Sequence, residues 1–210
     1  MDERLRKIRE SEAKSHTEMY SDTQLYQGNS WMKKPIKTVQ ELIPLFDEYQ
    51  ELRVLDLGCG VGRNCLEIAS KYKHIDCRID GVDILPLAIE KLNENAGELS
   101  VSESIFGIVA SIEEFTIPSD TYDFILAVSA LEHVDTKESF LKKLLEIREG
   151  IREKGVVCLI VNSNVREYDK NTNEQMDAQF EVNLSSEEME NTLSSVFKEW
   201  TVLKSTIREQ

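Results

Sequence analysis

The chain has no apolar run long enough to span a membrane, no cysteine pair at metal-binding or redox spacing, and too few basic residues to balance its acids. Each shortage removes a class of protein. A spanning helix needs about 20 consecutive apolar residues, and residues 1–14 are too densely charged to hold the apolar centre of a secretion signal. The chain therefore reads as cytoplasmic, with no membrane partner. Its four cysteines, Cys59, Cys65, Cys77 and Cys158, include no C-x-x-C pair, so neither zinc nor a disulfide framework is expected, and free thiols suit a reducing compartment. No metal is expected. The 25 Lys and Arg face 39 Asp and Glu, and the resulting formal charge of −14 repels phosphate backbones and anionic lipid. Nucleic acid is accordingly not expected as a partner, and no internal repeat or low-complexity block suggests an array.

What remains is a chain of 210 residues, enough for one compact domain with a short N-terminal appendage. Strand-like runs are expected over 53–57, 77–82, 104–109, 123–128 and 156–161, with helical periodicity over 63–71, 87–95 and 137–151. This order predicts an α/β fold: a doubly wound, mostly parallel Rossmann-like sheet with helices on both faces. Thr38 with Glu41 predicts a capped helix before the first strand. Ser185 with Glu188 predicts another, with Met189, Leu193 and Val196 as its apolar face. Residues 162–183 read as a long polar surface loop and 200–207 as a final strand. At the other end, 1–14 reads as a polar helix or a mobile stretch anchored by Leu5 and Ile8, and 16–34 as turn-prone. The expected division is 1–37 as an N-terminal helical or lid segment and 38–210 as the main domain.

The densest signal is Val54-Leu55-Asp56-Leu57-Gly58-Cys59-Gly60-Val61-Gly62, an apolar strand that runs into glycines at alternate positions. Residues without a Cβ accept unusual backbone angles and let a ligand pack on the main chain. A strand, tight loop and helix start in that order build a nucleotide-type site. Only Val61 separates Gly60 from Gly62, so the G-x-G-x-x-G spacing of a dinucleotide site is not met. Asp-x-Gly-x-Gly-x-Gly after a strand instead resembles the first signature of class I S-adenosylmethionine (SAM)-dependent methyltransferases. Tyr122-Asp123-Phe124 through Leu131-Glu132-His133 resembles the fourth-strand segment of many small-molecule members. In outline the chain is similar to the tellurite-resistance and thiopurine-type branch.

The resemblance implies SAM as cofactor, S-adenosylhomocysteine as product and a small-molecule methyl acceptor. It implies that Asp56, Gly58, Cys59, Gly60 and Gly62 wrap the amino-acid end of SAM. Asp83, at the carboxyl end of the second strand, has two acceptor oxygens for two vicinal ribose hydroxyls; the alternative is a cap on the helix that follows. By resemblance Ile84 and Leu85 give adenine an apolar face, and Ser111 and Ile112 meet its edge, with Ser111 where the family often has Asp. Ser129 approaches the methionyl end, and Leu131 and His133 line the way to substrate. His133 is either a general base or a packed, hydrogen-bonded histidine. Tyr20, Tyr26 and Trp31 either pin the N-terminal segment or close over bound SAM, where a tyrosine face would meet the sulfonium. Arg63 either pairs with SAM's carboxylate or faces water. No Asn/Asp-Pro-Pro-Tyr segment that grips a flipped base follows the fourth strand. The family fold ends in a two-strand hairpin, yet only three residues follow Ile207, so one strand is missing; either the chain is cut short or another element covers the edge. A SAM- or S-adenosylhomocysteine-binding regulatory protein without catalysis would carry the same glycine loop and Asp83.

Overall fold

The computed structural model describes residues 3–22, 25–27 and 31–208, apart from the side chains of Asp22 and Trp31. In chain order the elements are α1 (Glu3–Asp22), α2 (Lys37–Leu42), β1 (Glu51–Leu57), α3 (Cys65–Tyr72), β2 (Asp76–Asp83), α4 (Pro86–Glu98) and β3 (Ile105–Val109). There follow β4 (Tyr122–Val128), α5 (Lys137–Gly150), β5 (Ile151–Ile160), a two-stranded ribbon of β6 (Glu167–Tyr168) and β7 (Gln175–Met176), and α6 (Ser186–Val196).

Five parallel strands form one sheet in the order β3-β2-β1-β4-β5. The order reverses between β1 and β4, and in open α/β sheets the crevice for a ligand opens at that point, beyond the carboxyl ends of the strands. Side chains alternate between two cores, as a two-residue repeat requires. Val54, Phe124 and Leu126 join Val39 of α2, Leu66, Ile68 and Ala69 of α3, and Ile89 and Leu92 of α4 on one face. Leu55, Leu57, Ile125 and Ala127 join Phe140, Leu144 and Ile147 of α5 and Met189 and Val196 of α6 on the other. The doubly wound expectation is met.

Several local expectations change. α2 is capped by Ile36 with no side-chain hydrogen bond, so Thr38 is not the cap; the chain enters the helix from extended backbone two residues earlier. α3 begins at Cys65, two residues late, because Gly62 holds φ at +94° and delays helical geometry. The loop over 162–183 carries the β6–β7 ribbon, closed by Asp169 accepting from the amides of Asn171 and Thr172 at 2.8 Å. α1 runs on to Asp22, through residues expected as turns. The strand expected over 200–207 is absent: Val202, Leu203 and Ile207 are exposed and the segment has no regular structure. Its apolar residues have the composition of a strand, but the segment pairs with no strand of the sheet, and strand propensity counts only in such a pairing. The Ser185 capping box forms, with Ser185 Oγ accepting from Glu188 N and Glu188 accepting from Ser185 N.

Candidate functional site

The glycine loop is fixed by main chain. Gly58 N and Cys59 N both donate to Val82 O, at 2.8 and 3.0 Å, which ties the end of β1 to the end of β2. A Cβ at Gly58, where φ is +70°, would run into Ala130 just past β4. At Gly60, φ +53°, the nearest atom to a Cβ would be the Tyr20 hydroxyl at 2.9 Å, the far end of a movable side chain. Asp83 stands opposite. One carboxylate oxygen accepts from Gly60 N and the other from Leu85 N, each at 2.9 Å, and each keeps a lone pair. Burial pushes the Asp83 carboxyl up, against these amides. Asp83 is not itself the N-cap of α4, which begins from Leu85 without a side-chain cap, but its bond to Leu85 N steadies the entry to that helix.

Other predicted site residues fall around this loop in different states. Asp56 is 1% exposed and burial pushes it up to about 7, against a hydrogen bond from the Cys65 thiol; its Oδ2 has no hydrogen bond. It braces the start of α3 from inside. Cys59 is buried, with its thiol donating to Gly60 O. Ile84 is 51% exposed at the rim, an unusual position for isoleucine. Ser111 is half-buried and its hydroxyl accepts from Glu114 N at 3.3 Å, while Ile112 packs into the α5–α6 core. Ser129 has φ +50° at the carboxyl end of β4, and its amide donates to Ile160 O at 2.7 Å. A serine held in that region is the kind of backbone strain that accumulates at functional sites.

The N-terminal aromatics part company. Tyr20 is buried against Gly60, lies tilted against His16 at 5.4 Å between ring centres, and burial raises its hydroxyl pKa, with Asp83 and Cys59 adding to the rise. Tyr26 instead donates to Arg63 O at 2.9 Å, and Arg63 Nε donates to Lys34 O at 2.8 Å, so this pair binds the N-terminal segment to the start of α3. The Trp31 side chain lies outside the described residues.

A second cluster lies beside the loop. After Ala130, a turn of 3-10 helix, Leu131–His133, carries Glu132 and His133. Glu132 is fully buried; its Oε1 accepts from Asn162 N and Nδ2, and its main-chain oxygen accepts from Val182 N. That stitching brings Glu181 to His133. His133 Nδ1 lies 3.0 Å from Glu12 of α1 and 3.0 Å from Glu181, whose side chain is 0% exposed. Burial opposes a charge on His133, but hydrogen bonds to Glu12 and Glu181, with the fields of Glu12 and Glu132, outweigh it and push the imidazole up to about 10. It is a clamped cation. Arg9, one turn before Glu12, reaches Glu113 at 2.6 Å and Glu181 at 3.5 Å, and Glu113 also accepts from Asp135 N.

Residues 54–155 match the family profile described as a methyltransferase domain. Over these residues the chain is similar to methyltransferase domains, and its five-stranded parallel sheet has their Rossmann-like fold. Ajmaline N-methyltransferase of Rauvolfia serpentina is 26% identical over 100 residues, 48% of this chain and 33% of the relative. (S)-Coclaurine N-methyltransferase of Thalictrum flavum subsp. glaucum is 37% identical over 93 residues, 44% of this chain and 25% of the relative. The match thus spans a third or less of these curated relatives' length. A SAM-dependent methyltransferase of Geobacter sulfurreducens, solved with S-adenosylhomocysteine, superposes with a TM-score of 0.57 at 16% identity, covering 87% of this chain and 70% of that one; this similarity speaks to fold.

The matched region suits SAM on its own geometry. Gly60 presents bare main chain with only a side-chain tip above it, and Asp83 faces it with an acceptor lone pair left on each oxygen. Sequence reasoning missed the partners from outside the signatures: Arg9, Glu12 and His16 on α1, and Glu181 in the long loop. A signal existed in part. Arg9, Glu12, His16 and Tyr20 recur at three- and four-residue intervals, a single face of a helix. Glu181 gave none, because nothing local distinguishes it from its acidic neighbours.

Proposed function

We propose that the chain is a SAM-dependent methyltransferase acting on a small-molecule acceptor. The observation that carries this reading is the side-chain-free wall at Gly60 opposite Asp83, set at the switch point of a methyltransferase domain. The small acceptor is supported by relatives that are by name N-methyltransferases of small molecules. Bound SAM would supply a methyl group on a sulfonium, already an activated leaving group. The protein's work is then placement, which in oriented model reactions is worth up to ~7–11 kcal/mol.

In this reading residues 38–210 are the catalytic domain and residues 1–37 the lid. The main chain of Gly58, Cys59, Gly60 and Gly62 holds the amino-acid end, with Ser129 beside it and Asp56 bracing the loop from below. Asp83 accepts from the ribose hydroxyls, Ile84 covers one adenine face, and Ser111 and Ile112 bound the adenine edge. Tyr20, with Trp31, closes over the site, while Tyr26 pins the lid. Since Tyr20 lies over Gly60, it moves aside to admit SAM before it closes over the bound cofactor. His133 can accept an acceptor's proton only after passing its own to Glu181 or to water, because the clamped imidazole already holds one. Four free, buried cysteines favour a reducing, cytoplasmic setting, and no described helix is long and apolar enough to cross a membrane.

Calorimetry with SAM, S-adenosylhomocysteine and NAD tests the cofactor, and a panel of amine, thiol and hydroxyl acceptors tests turnover. SAM and S-adenosylhomocysteine should bind and NAD should not. Preference for NAD, or indifference to SAM at millimolar concentration, would overturn the reading. Binding without methylation across the panel would favour the regulatory alternative.

A further inference from the structure

The second cluster has more carboxylates than cations. Glu12, Glu113, Glu132 and Glu181 surround Arg9 and His133. Two of its oxygens, Oε2 of Glu132 and Oε1 of Glu181, belong to fully buried side chains and have no hydrogen bond. Arg9 and Glu12 both ride on α1. Without α1 both would be gone, leaving Glu132 and Glu181 at one imidazole and Glu113 without its guanidinium. Carboxylates in so buried a setting are costly without a cation. The location is equally telling: Glu132 lies two residues beyond Ala130, which touches Gly58 of the cofactor loop. Phe180, stacked on His133 at 5.3 Å, adds an aromatic wall of the kind that favours organic cations.

Resting on the methyltransferase reading, we infer that Glu113 and Glu181, with Glu132 behind them at His133, form the acceptor subsite, that it takes an amine bound in its ammonium form, which gives a proton to Glu181 so that its freed lone pair can take the methyl, and that the Arg9 guanidinium occupies the ammonium position while α1 is closed. Arg9 is then an internal competitor of substrate. Its contacts show the fit: one short charge-assisted hydrogen bond to Glu113 and a longer ion pair to buried Glu181, with His133 O at 3.5 Å.

The test is calorimetric titration with benzylamine, N-methylbenzylamine and N,N-dimethylbenzylamine, against benzyl alcohol as the neutral counterpart. Each is run with and without saturating S-adenosylhomocysteine, so that loss of cofactor binding reports on the methyltransferase reading and amine binding on this one. At least one amine should bind about tenfold or more tighter than the alcohol. Arg9→Ala should tighten amine binding several-fold by removing the competitor, and Glu113→Gln should weaken it about tenfold, as should Glu181→Gln. Glu113 is partly exposed, so its variant keeps the test decisive should the buried Glu181→Gln fail to fold. Amines that bind no better than benzyl alcohol, or an Arg9→Ala protein with unchanged or weaker amine affinity, would overturn the inference.

Discussion

Two halves of the site are built by different means. The half under β1 and β2 is made of main chain: amides of Gly58 and Cys59 on Val82, an amide of Gly60 on Asp83, and left-handed glycines that no side chain can replace without strain. The half beyond β4 and β5 is made of side chains brought from residues 9, 12, 113, 132, 133 and 181. The first is local in sequence and stiff. The second depends on α1 lying across the carboxyl ends of the strands, so its charges can separate when that helix moves. Binding a cofactor shared across many enzymes suits the stiff half, and choosing an acceptor suits the adjustable one.

The sharpest break in this comparison is Gly60→Val. It should abolish SAM binding, a loss of about 100-fold or more, by filling the space where the ligand meets the backbone and by straining φ +53°. Calorimetry measures the loss and circular dichroism checks the fold; retained affinity would mean that the wall is not the contact. Asp83→Ala comes next. Losing two charge-assisted acceptors should weaken SAM binding by about 1.5–3 kcal/mol, and a deficit no larger than that of a distant surface alanine would remove the ribose role.

The adjustable half responds to pH instead. His133 is raised from 6.5 to about 10, so the stability its clamp contributes is complete below pH 6.5 and is lost as pH rises through about 10. Thermal midpoints should fall across that window. Glu12→Gln should lower the His133 pKa by about one unit or more by removing one of its two carboxylate partners, moving the loss to lower pH. Titration of the His133 ring by NMR checks both, and a wild-type value near 6.5 would show that α1 is not latched.

This division also explains how much the sequence revealed. The glycine loop, Asp83, the five strands and the Ser185 box are each signalled by letters within a few residues, even where, as with Asp83 and Gly60, the contact they make joins two strand ends. The strand expected over 200–207 shows the limit of that approach: Val202, Leu203 and Ile207 have the composition of a strand, but composition cannot supply a pairing partner, and they stand exposed. Thr38 failed for a related reason, since where a helix begins depends on the path by which the chain arrives. His133 was visible as a residue but not in its state. Its charge is set by Glu12, 121 positions earlier, and Glu181, 48 positions later.

The smallest expected effect separates the two tyrosines. Tyr26→Phe removes one hydrogen bond, to Arg63 O, and should cost about 1 kcal/mol of stability in urea unfolding with SAM affinity changed by less than about twofold. The ring stays in place, so any larger change reports on the hydroxyl itself. A loss of SAM affinity exceeding the loss of stability would move Tyr26 from clasp to lid, and the boundary between the stiff and adjustable halves would then run through residue 26 instead of ending with α1.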